Sequence, residues 1–206
     1  VSLAQEKKLT KPWNLVAHSL GCLLGLRRLI SDPCCFSKYI FLSPLWGNVR
    51  SIPRPFQRLL LGCEKILQFL RLTEITNQNP KKYKPYSLTV NFRENTLTSD
   101  KKQFNRLQAI LRENTELHSG TPTLGYLIAI LKEIDELNLV DLPDKQILVL
   151  LAARERITDN DAVLRFIKRH DFIEIEKIKN AQHEILIEKE EVRGEALSLM
   201  HTFLKS

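Results

Sequence analysis

Residues 15–22, "LVAHSLGC", run from an apolar strand pattern directly into a serine. Small residues stand two positions before and two positions after Ser19, namely Ala17 and Gly21, and an apolar helical pattern follows at once. This arrangement is typical of a nucleophile elbow, in which the small residues allow a sharp strand-to-helix turn to close. Ser19 is therefore the candidate nucleophile, and Ala17, His18 and Gly21 are candidate supports of the turn.

Two short apolar segments around this turn predict neighbouring strands. Residues 13–19 and 38–44 read as buried strands, and an apolar helix from about Leu20 to Ile30 separates them. A strand-helix-strand unit of this kind places its two strands in parallel.

Strand patterns return near the end of the chain. Residues 145–152 are uniformly apolar from Ile147 onward, as expected of a strand that is buried on both faces. A helix from about 159 to 169, a strand at 171–178 and a last helix follow. The last helix places one apolar stripe on a single face, formed by Val192, Ala196, Leu199 and Phe203.

The residues between these two groups have helical patterns. Ser99 or Asp100 is positioned to cap one helix, and Thr121-Pro122 is a predicted start of another. The predicted division is a sheet-forming core at 1–44, a helical cap insertion at 45–137, and core again at 138–206. The fold class is α/β, with a parallel sheet.

Composition narrows the kind of protein further. The chain has 206 residues, of which 43 % are hydrophobic, which suits one domain with a sizeable core. No apolar run is long enough to span a bilayer, and no export signal opens the chain. Four cysteines without CxxC spacing favour reduced thiols and a cytoplasmic protein.

Charge is concentrated in the insertion. Between Arg50 and Arg106 there are twelve Lys or Arg and four Asp or Glu, a net +8. The first predicted helix of the insertion carries more apolar residues than one buried stripe requires, namely Phe56, Leu59, Leu60, Ile66, Leu67 and Leu70. Together these features predict peripheral contact with an anionic membrane surface, at the inner membrane. The alternative to an enzyme is a non-catalytic basic module that binds anionic surfaces. No nucleic-acid motif is present, and no nucleic-acid partner is expected.

Partners for a serine nucleophile are found at the places that α/β-hydrolases use, in the order serine, acid, histidine. Glu155 follows the strand that ends near Ala152, and His183 lies between the last strand and the last helix. Asp159 is the reserve acid, although it is also placed to cap the next helix. The other histidines show no HExxH spacing and no GxGxxG or phosphate loop is present, so neither a metal nor a cofactor is expected.

Four stretches carry a resemblance to a known family: "AHSLG", "NTLTSDKKQFNRLQAIL" with "GTPTLGYL", "ERITDN" and "HEILIEKEEVR". The chain resembles the C-terminal two-thirds of bacterial lysophospholipases of the monoacylglycerol lipase-like α/β-hydrolase family. The resemblance implies an α/β-hydrolase fold, a lipid ester substrate, and Ser19, Glu155 and His183 as nucleophile, acid and base. A small-ester esterase or serine aminopeptidase of the same fold is the alternative.

The resemblance also implies that parts of the enzyme are missing. The first strands and the His-Gly loop of the oxyanion hole are absent, which leaves the backbone N–H of Leu20 as the oxyanion donor. The chain is therefore expected to be part of a longer enzyme and to be inactive alone.

Overall fold

The structure is built on a four-stranded parallel sheet. The computed structural model describes residues 6–7, 10–47, 52–75, 84–118, 120 and 122–206. The strands are β1 (Asn14–His18), β2 (Lys38–Leu42), β3 (Gln146–Ala152) and β4 (Ile173–Ile178). They lie side by side in chain order, and all three neighbouring pairs are parallel. The predicted α/β class with a parallel sheet is confirmed.

Helices connect the strands and cover the sheet. The described α-helices are α1 (Leu20–Ser31), α2 (Arg54–Gly62), α3 (Glu64–Phe69), α4 (Tyr86–Thr89), α5 (Lys101–Glu113), α6 (Leu124–Leu137), α7 (Asn160–Ile167) and α8 (Glu190–Lys205). Short 3-10 turns lie at Leu72–Glu74, Thr115–Leu117 and Ile185–Ile187. Among the described helices, none is both long and apolar enough to cross a membrane.

The core has two layers because side chains alternate along each buried strand. Tyr39 and Phe41 of β2 face a cluster that includes α1, α7 and the end of α6. Ile40 and Leu42 of the same strand face α8 on the opposite side. Both faces are fully covered at β2 and β3, which explains why residues 147–152 are continuously apolar.

Between β2 and β3 the described regular elements are helices, and none adds a strand to the sheet. Asp100 caps α5, since its carboxylate accepts from the backbone N–H of Lys102 and Gln103. The predicted start of α6 at Thr121-Pro122 is wrong. The Thr123 hydroxyl caps that helix instead, accepting from Tyr126 N–H, and Thr121 lies outside the described residues.

Ion pairs of Arg27 attach this helical part to the core. Arg27 of α1 donates to Glu133 at 2.8 Å and to Glu136 at 2.7 Å, both on α6. A small apolar cluster joins α2 to α6 through Leu60, Ile128 and Leu131. Arg27 thus connects α6 to the core, whereas Leu60 connects α6 to α2 within the helical part.

Close packing between α1 and the sheet depends on Gly25. A Cβ added there would lie 2.7 Å from Cε1 of the buried Phe41 and 2.9 Å from a methyl carbon of Leu15. Gly25→Ala is therefore expected to lower the free energy of unfolding by about 1–3 kcal/mol, despite the better helix propensity of alanine. Urea unfolding measures the change. Gly194→Ala on α8 is the matched control, because nothing lies within 4 Å of its added Cβ; equal stabilisation of both variants would contradict the packing account.

Candidate active site

Ser19 occupies a strained turn between β1 and α1. Its backbone has φ 51° and ψ −117°, a left-handed conformation that is uncommon for a residue with a side chain. Its N–H donates to the carbonyl oxygen of Leu42 at 3.0 Å, which ties the turn to the end of β2. Strain of this kind is a recognised feature of functional sites, where the surrounding structure enforces it.

Small side chains fill the inside of this turn. A Cβ added at Gly21 would lie 3.7 Å from the Cβ of Ala17, an ordinary contact distance, so the pair leaves room for little more than a methyl group. The Sγ of Cys22 lies 3.3 and 3.4 Å from the carbonyl oxygens of Ala17 and Leu42, and these two acceptors share its single S–H hydrogen. Burial raises the pKa of the Cys22 thiol, which keeps it protonated for these bonds.

Three side chains from separate segments meet at the carboxyl ends of the strands. His183 Nε2 lies 3.0 Å from Ser19 Oγ, and His183 Nδ1 lies 2.8 Å from Glu155 Oε2. Because a carboxylate only accepts, Nδ1 carries the proton and Nε2 is left to accept the hydroxyl hydrogen of Ser19. The three residues predicted from the sequence therefore form one continuous hydrogen-bonded chain.

Glu155 is held from both of its oxygens. Oε1 accepts from the backbone N–H groups of Arg156, Ile157 and Thr158 at 2.9, 2.7 and 3.2 Å, while Oε2 faces His183. Burial by itself favours the neutral acid. The hydrogen bond and charge of His183, with the N–H groups of Ile157 and Thr158, outweigh it and hold the pKa of Glu155 below its ordinary value. The carboxylate is thus fixed in orientation and in charge.

The reserve acid, Asp159, has different contacts. Its carboxylate accepts from Ala162 N–H at 3.2 Å as the N-cap of α7, and it lies 3.5 Å from a guanidinium nitrogen of Arg54. Among the described residues, the carboxylate that accepts from His183 Nδ1 is that of Glu155 instead.

Two residues anchor the backbone of His183. The sequence did not predict this role for either of them. Ser43 Oγ and His18 Nε2 both donate to the carbonyl oxygen of His183, at 2.8 and 3.1 Å. The His18 and His183 rings also meet edge to face, with centroids 4.7 Å apart. The described side-chain contacts of His18 are thus with His183 and Glu184, in the loop before the last helix, rather than within the turn. Ser43 is fully buried and has a positive φ of 44°, which no local motif signals.

His18, His183 and Glu184 form a group whose ligand atoms lie within 4.8 Å of one another, close enough to hold a metal ion. The sequence spacing did not reveal it, because His18 is distant along the chain. Both ring nitrogens of His183 already have partners, in Glu155 and Ser19. A metal bound by all three residues would have to break that hydrogen-bonded chain.

The predicted oxyanion donor, Leu20, is the first residue of α1. The N–H groups of a first helical turn have no carbonyl partner within the helix, so they are available to bind an anion. This N–H lies next to the nucleophile in sequence, as an oxyanion donor in this type of turn does.

A parallel sheet, a strained serine between strand and helix, and a histidine in contact with that serine define the α/β-hydrolase class. The chain belongs to the family described as "Serine aminopeptidase, S33" (Hydrolase_4), whose model matches residues 1–190. The α/β-hydrolase resemblance seen in the sequence is thus confirmed, with distant similarity to a lysophospholipase and to monoglyceride lipases.

Individual relatives agree with this assignment. The "Probable lysophospholipase L2" of Haemophilus influenzae is 27 % identical over 194 residues, which cover 93 % of this chain and 59 % of that protein. The chain therefore spans less than two-thirds of the length of this relative. A monoglyceride lipase of Saccharomyces cerevisiae and a monoacylglycerol lipase of Paleococcus ferrophilus share the fold, with TM-scores of 0.71 and 0.70. Each of these lipases is 16 % identical to this chain. Both comparisons cover 99 % of this chain, and they cover 65 % of the yeast lipase and 72 % of the Paleococcus lipase.

Proposed function

We propose that this protein hydrolyses carboxylic esters of lipids, as a lysophospholipase or monoacylglycerol lipase, through an acyl-enzyme on Ser19. The observation that supports the proposal most is the continuous chain of hydrogen bonds from Ser19 through His183 to Glu155, at 3.0 and 2.8 Å. Both lengths are those of well-formed hydrogen bonds, so the serine already faces its base.

In the proposed reaction His183 Nε2 removes the hydroxyl proton of Ser19 as Oγ attacks the ester carbonyl carbon. Glu155 keeps the proton on Nδ1 and stabilises the positive imidazole, while Leu20 N–H donates to the oxyanion. The departing alcohol takes the proton from Nε2. Water then attacks the acyl-enzyme with the same histidine as base, releases the fatty acid and restores Ser19.

A lipid substrate is supported by the names of the relatives and by the surface of the helical part. We take residues 45–137 as a cap over the site. Five apolar side chains of α2 and α3 and the residue that follows are 48–87 % exposed, namely Phe56, Leu59, Ile66, Phe69 and Leu70. Two others that the sequence suggested as surplus, Leu60 and Leu67, pack toward α6 instead. The remaining exposed surface is suited to an acyl chain or a bilayer interface.

The competing substrate within the family is a peptide, because the family description names a serine aminopeptidase. A panel of four substrates separates the possibilities: a monoacylglycerol, a lysophospholipid, a short nitrophenyl ester and an aminoacyl anilide. We expect kcat/KM for one of the two lipids to exceed that for the short ester at least tenfold. Preferential cleavage of the anilide would replace the lipid proposal by the aminopeptidase.

The exposed apolar side chains are flanked by the exposed basic residues Arg58, Lys65 and Arg71, and we propose that this surface rests on anionic lipid. Lys65→Glu with Arg71→Glu is expected to lower binding to anionic vesicles at least about tenfold, since each basic residue near the surface contributes about 1 kcal/mol. Sedimentation with anionic and neutral vesicles measures this. Lys168→Glu with Lys179→Glu, also exposed, is the matched control. Equal binding of wild type to both vesicle types would contradict the electrostatic part.

A further inference from the structure

A carboxylate outside the triad is buried beside the histidine loop. Glu188 is 0 % exposed, and both of its oxygens accept hydrogen bonds. Oε1 accepts from Gln182 N–H at 2.8 Å and from Ser99 N–H at 3.0 Å. Oε2 accepts from Ser99 Oγ at 2.6 Å and also lies 3.0 Å from Ser99 N. Glu188 therefore joins the residue before His183 to the segment before α5.

Two further hydrogen bonds join the same two segments. Glu184 N–H donates to the carbonyl oxygen of Leu97 at 2.8 Å. The hydroxyl of Thr98, which is fully buried, donates to the carbonyl oxygen of Ile187 at 2.8 Å. Residues 97–99 and 182–188 are thus bound together on both sides of His183, and we call this contact the loop clamp.

We propose that Glu188 is a positioning residue for His183, acting through the loop clamp; this rests on the proposed role of His183 as base. Ser43 and His18 fix the carbonyl oxygen of His183 from the sheet side. Glu188 fixes the preceding peptide from the side of the cap segment. The imidazole has to reach Ser19 and Glu155 together, and a displacement of about 1 Å at such a site costs on the order of a hundredfold in rate.

The chemistry of the clamp requires a group that only accepts. All the described partners of Glu188 are hydrogen-bond donors: the backbone N–H groups of Ser99 and Gln182 and the hydroxyl of Ser99. In Glu188→Gln one oxygen becomes an NH₂ group that faces these donors, so at least one buried hydrogen bond is lost and replaced by a repulsive contact. Residues 182–188 would then shift or loosen, while Ser19, Glu155 and His183 themselves stay unchanged.

The test is the rate at which a fluorophosphonate labels Ser19, measured against pH in protein expressed from its complete reading frame. Glu188→Gln is expected to lower the rate constant about 10- to 100-fold and to change the pH dependence that reports the base. Amide hydrogen exchange is expected to rise in 97–99 and 182–187 but not in β3. Glu190→Gln, an exposed carboxylate on α8, is the matched control and should label at the wild-type rate.

If Glu188 had a purely structural role, Glu188→Gln would yield less labelled protein after heating, but its folded fraction would keep the wild-type labelling rate constant and pH profile. That result would overturn the proposal. If Glu188→Gln does not fold, Ser99→Ala keeps the carboxylate and removes only the 2.6 Å bond. An unchanged rate and unchanged exchange in that variant would also overturn it. Absence of labelling in the wild type would refute the proposed function itself, whereas wild-type labelling with a wild-type rate in Glu188→Gln refutes the positioning role alone.

Discussion

Replacing Ser19 is expected to abolish ester hydrolysis while leaving the fold intact. Ser19→Ala removes Oγ, the proposed attacking atom, and we expect turnover to fall by about 10⁴-fold or more, to the level left by the oxyanion donor and binding. Initial rates on the best substrate of the panel measure the loss. Ser198→Ala, at an exposed serine of α8, is the control and should keep wild-type turnover.

The same position should show the cost of its strained backbone. Glycine adopts positive φ without a steric penalty, so Ser19→Gly is expected to be inactive yet more stable than Ser19→Ala by about 1 kcal/mol. Thermal unfolding of the two variants measures the difference. An active Ser19→Ala protein, or a Ser19→Gly protein that is less stable than Ser19→Ala, would contradict the assignment of this residue to a strained nucleophile turn.

Glu155→Gln is expected to lower kcat by about 10³- to 10⁴-fold with little loss of fold. The glutamine keeps an oxygen for the three backbone N–H groups that Oε1 binds. Its NH₂ group would then donate to His183 Nδ1, which forces the ring proton onto Nε2. In that tautomer the histidine cannot accept the proton of Ser19, and changes of this kind cost about 10⁴ in related triads.

Asp159→Asn is the matched comparison for Glu155→Gln. Asparagine is also a good N-cap, but it removes the ion pair with Arg54 that now lies at 3.5 Å. We expect a loss of stability within about 1 kcal/mol and kcat within a fewfold of wild type. The reverse pattern, with activity lost in Asp159→Asn and kept in Glu155→Gln, would transfer the role of acid to Asp159.

Much of this site was predictable because its signals are local. The strand, the small residues Ala17 and Gly21 and the following helix are adjacent in sequence, and their pattern depends on short-range sterics. Glu155 and His183 were predicted from the order of elements, since the carboxyl ends of parallel strands share one edge of the sheet. The predicted strand at 38–44 ends at Leu42, because Ser43 adopts a positive φ.

Contacts between distant residues were not predictable in this way. Ser43 meets His183 across 140 positions, and Ser99 meets Glu188 across 89. No periodicity encodes such pairs. A glutamate is usually exposed, so nothing in the sequence indicates that Glu188 is buried. The prediction that Leu60 is surplus exposed surface was wrong for a similar reason, since its partners Ile128 and Leu131 on α6 become neighbours only in the fold.

The central claim is that Ser19 is activated by His183. The most direct measurement is reaction with a fluorophosphonate followed by mass mapping of the labelled peptide, in wild type and in His183→Gln. We expect one adduct per chain, on Ser19, with a rate that rises as the base loses its proton and falls by about 10³-fold or more in His183→Gln. Labelling of another residue, no labelling, or an equal rate in His183→Gln would contradict the account, and no labelling would favour a non-catalytic basic module.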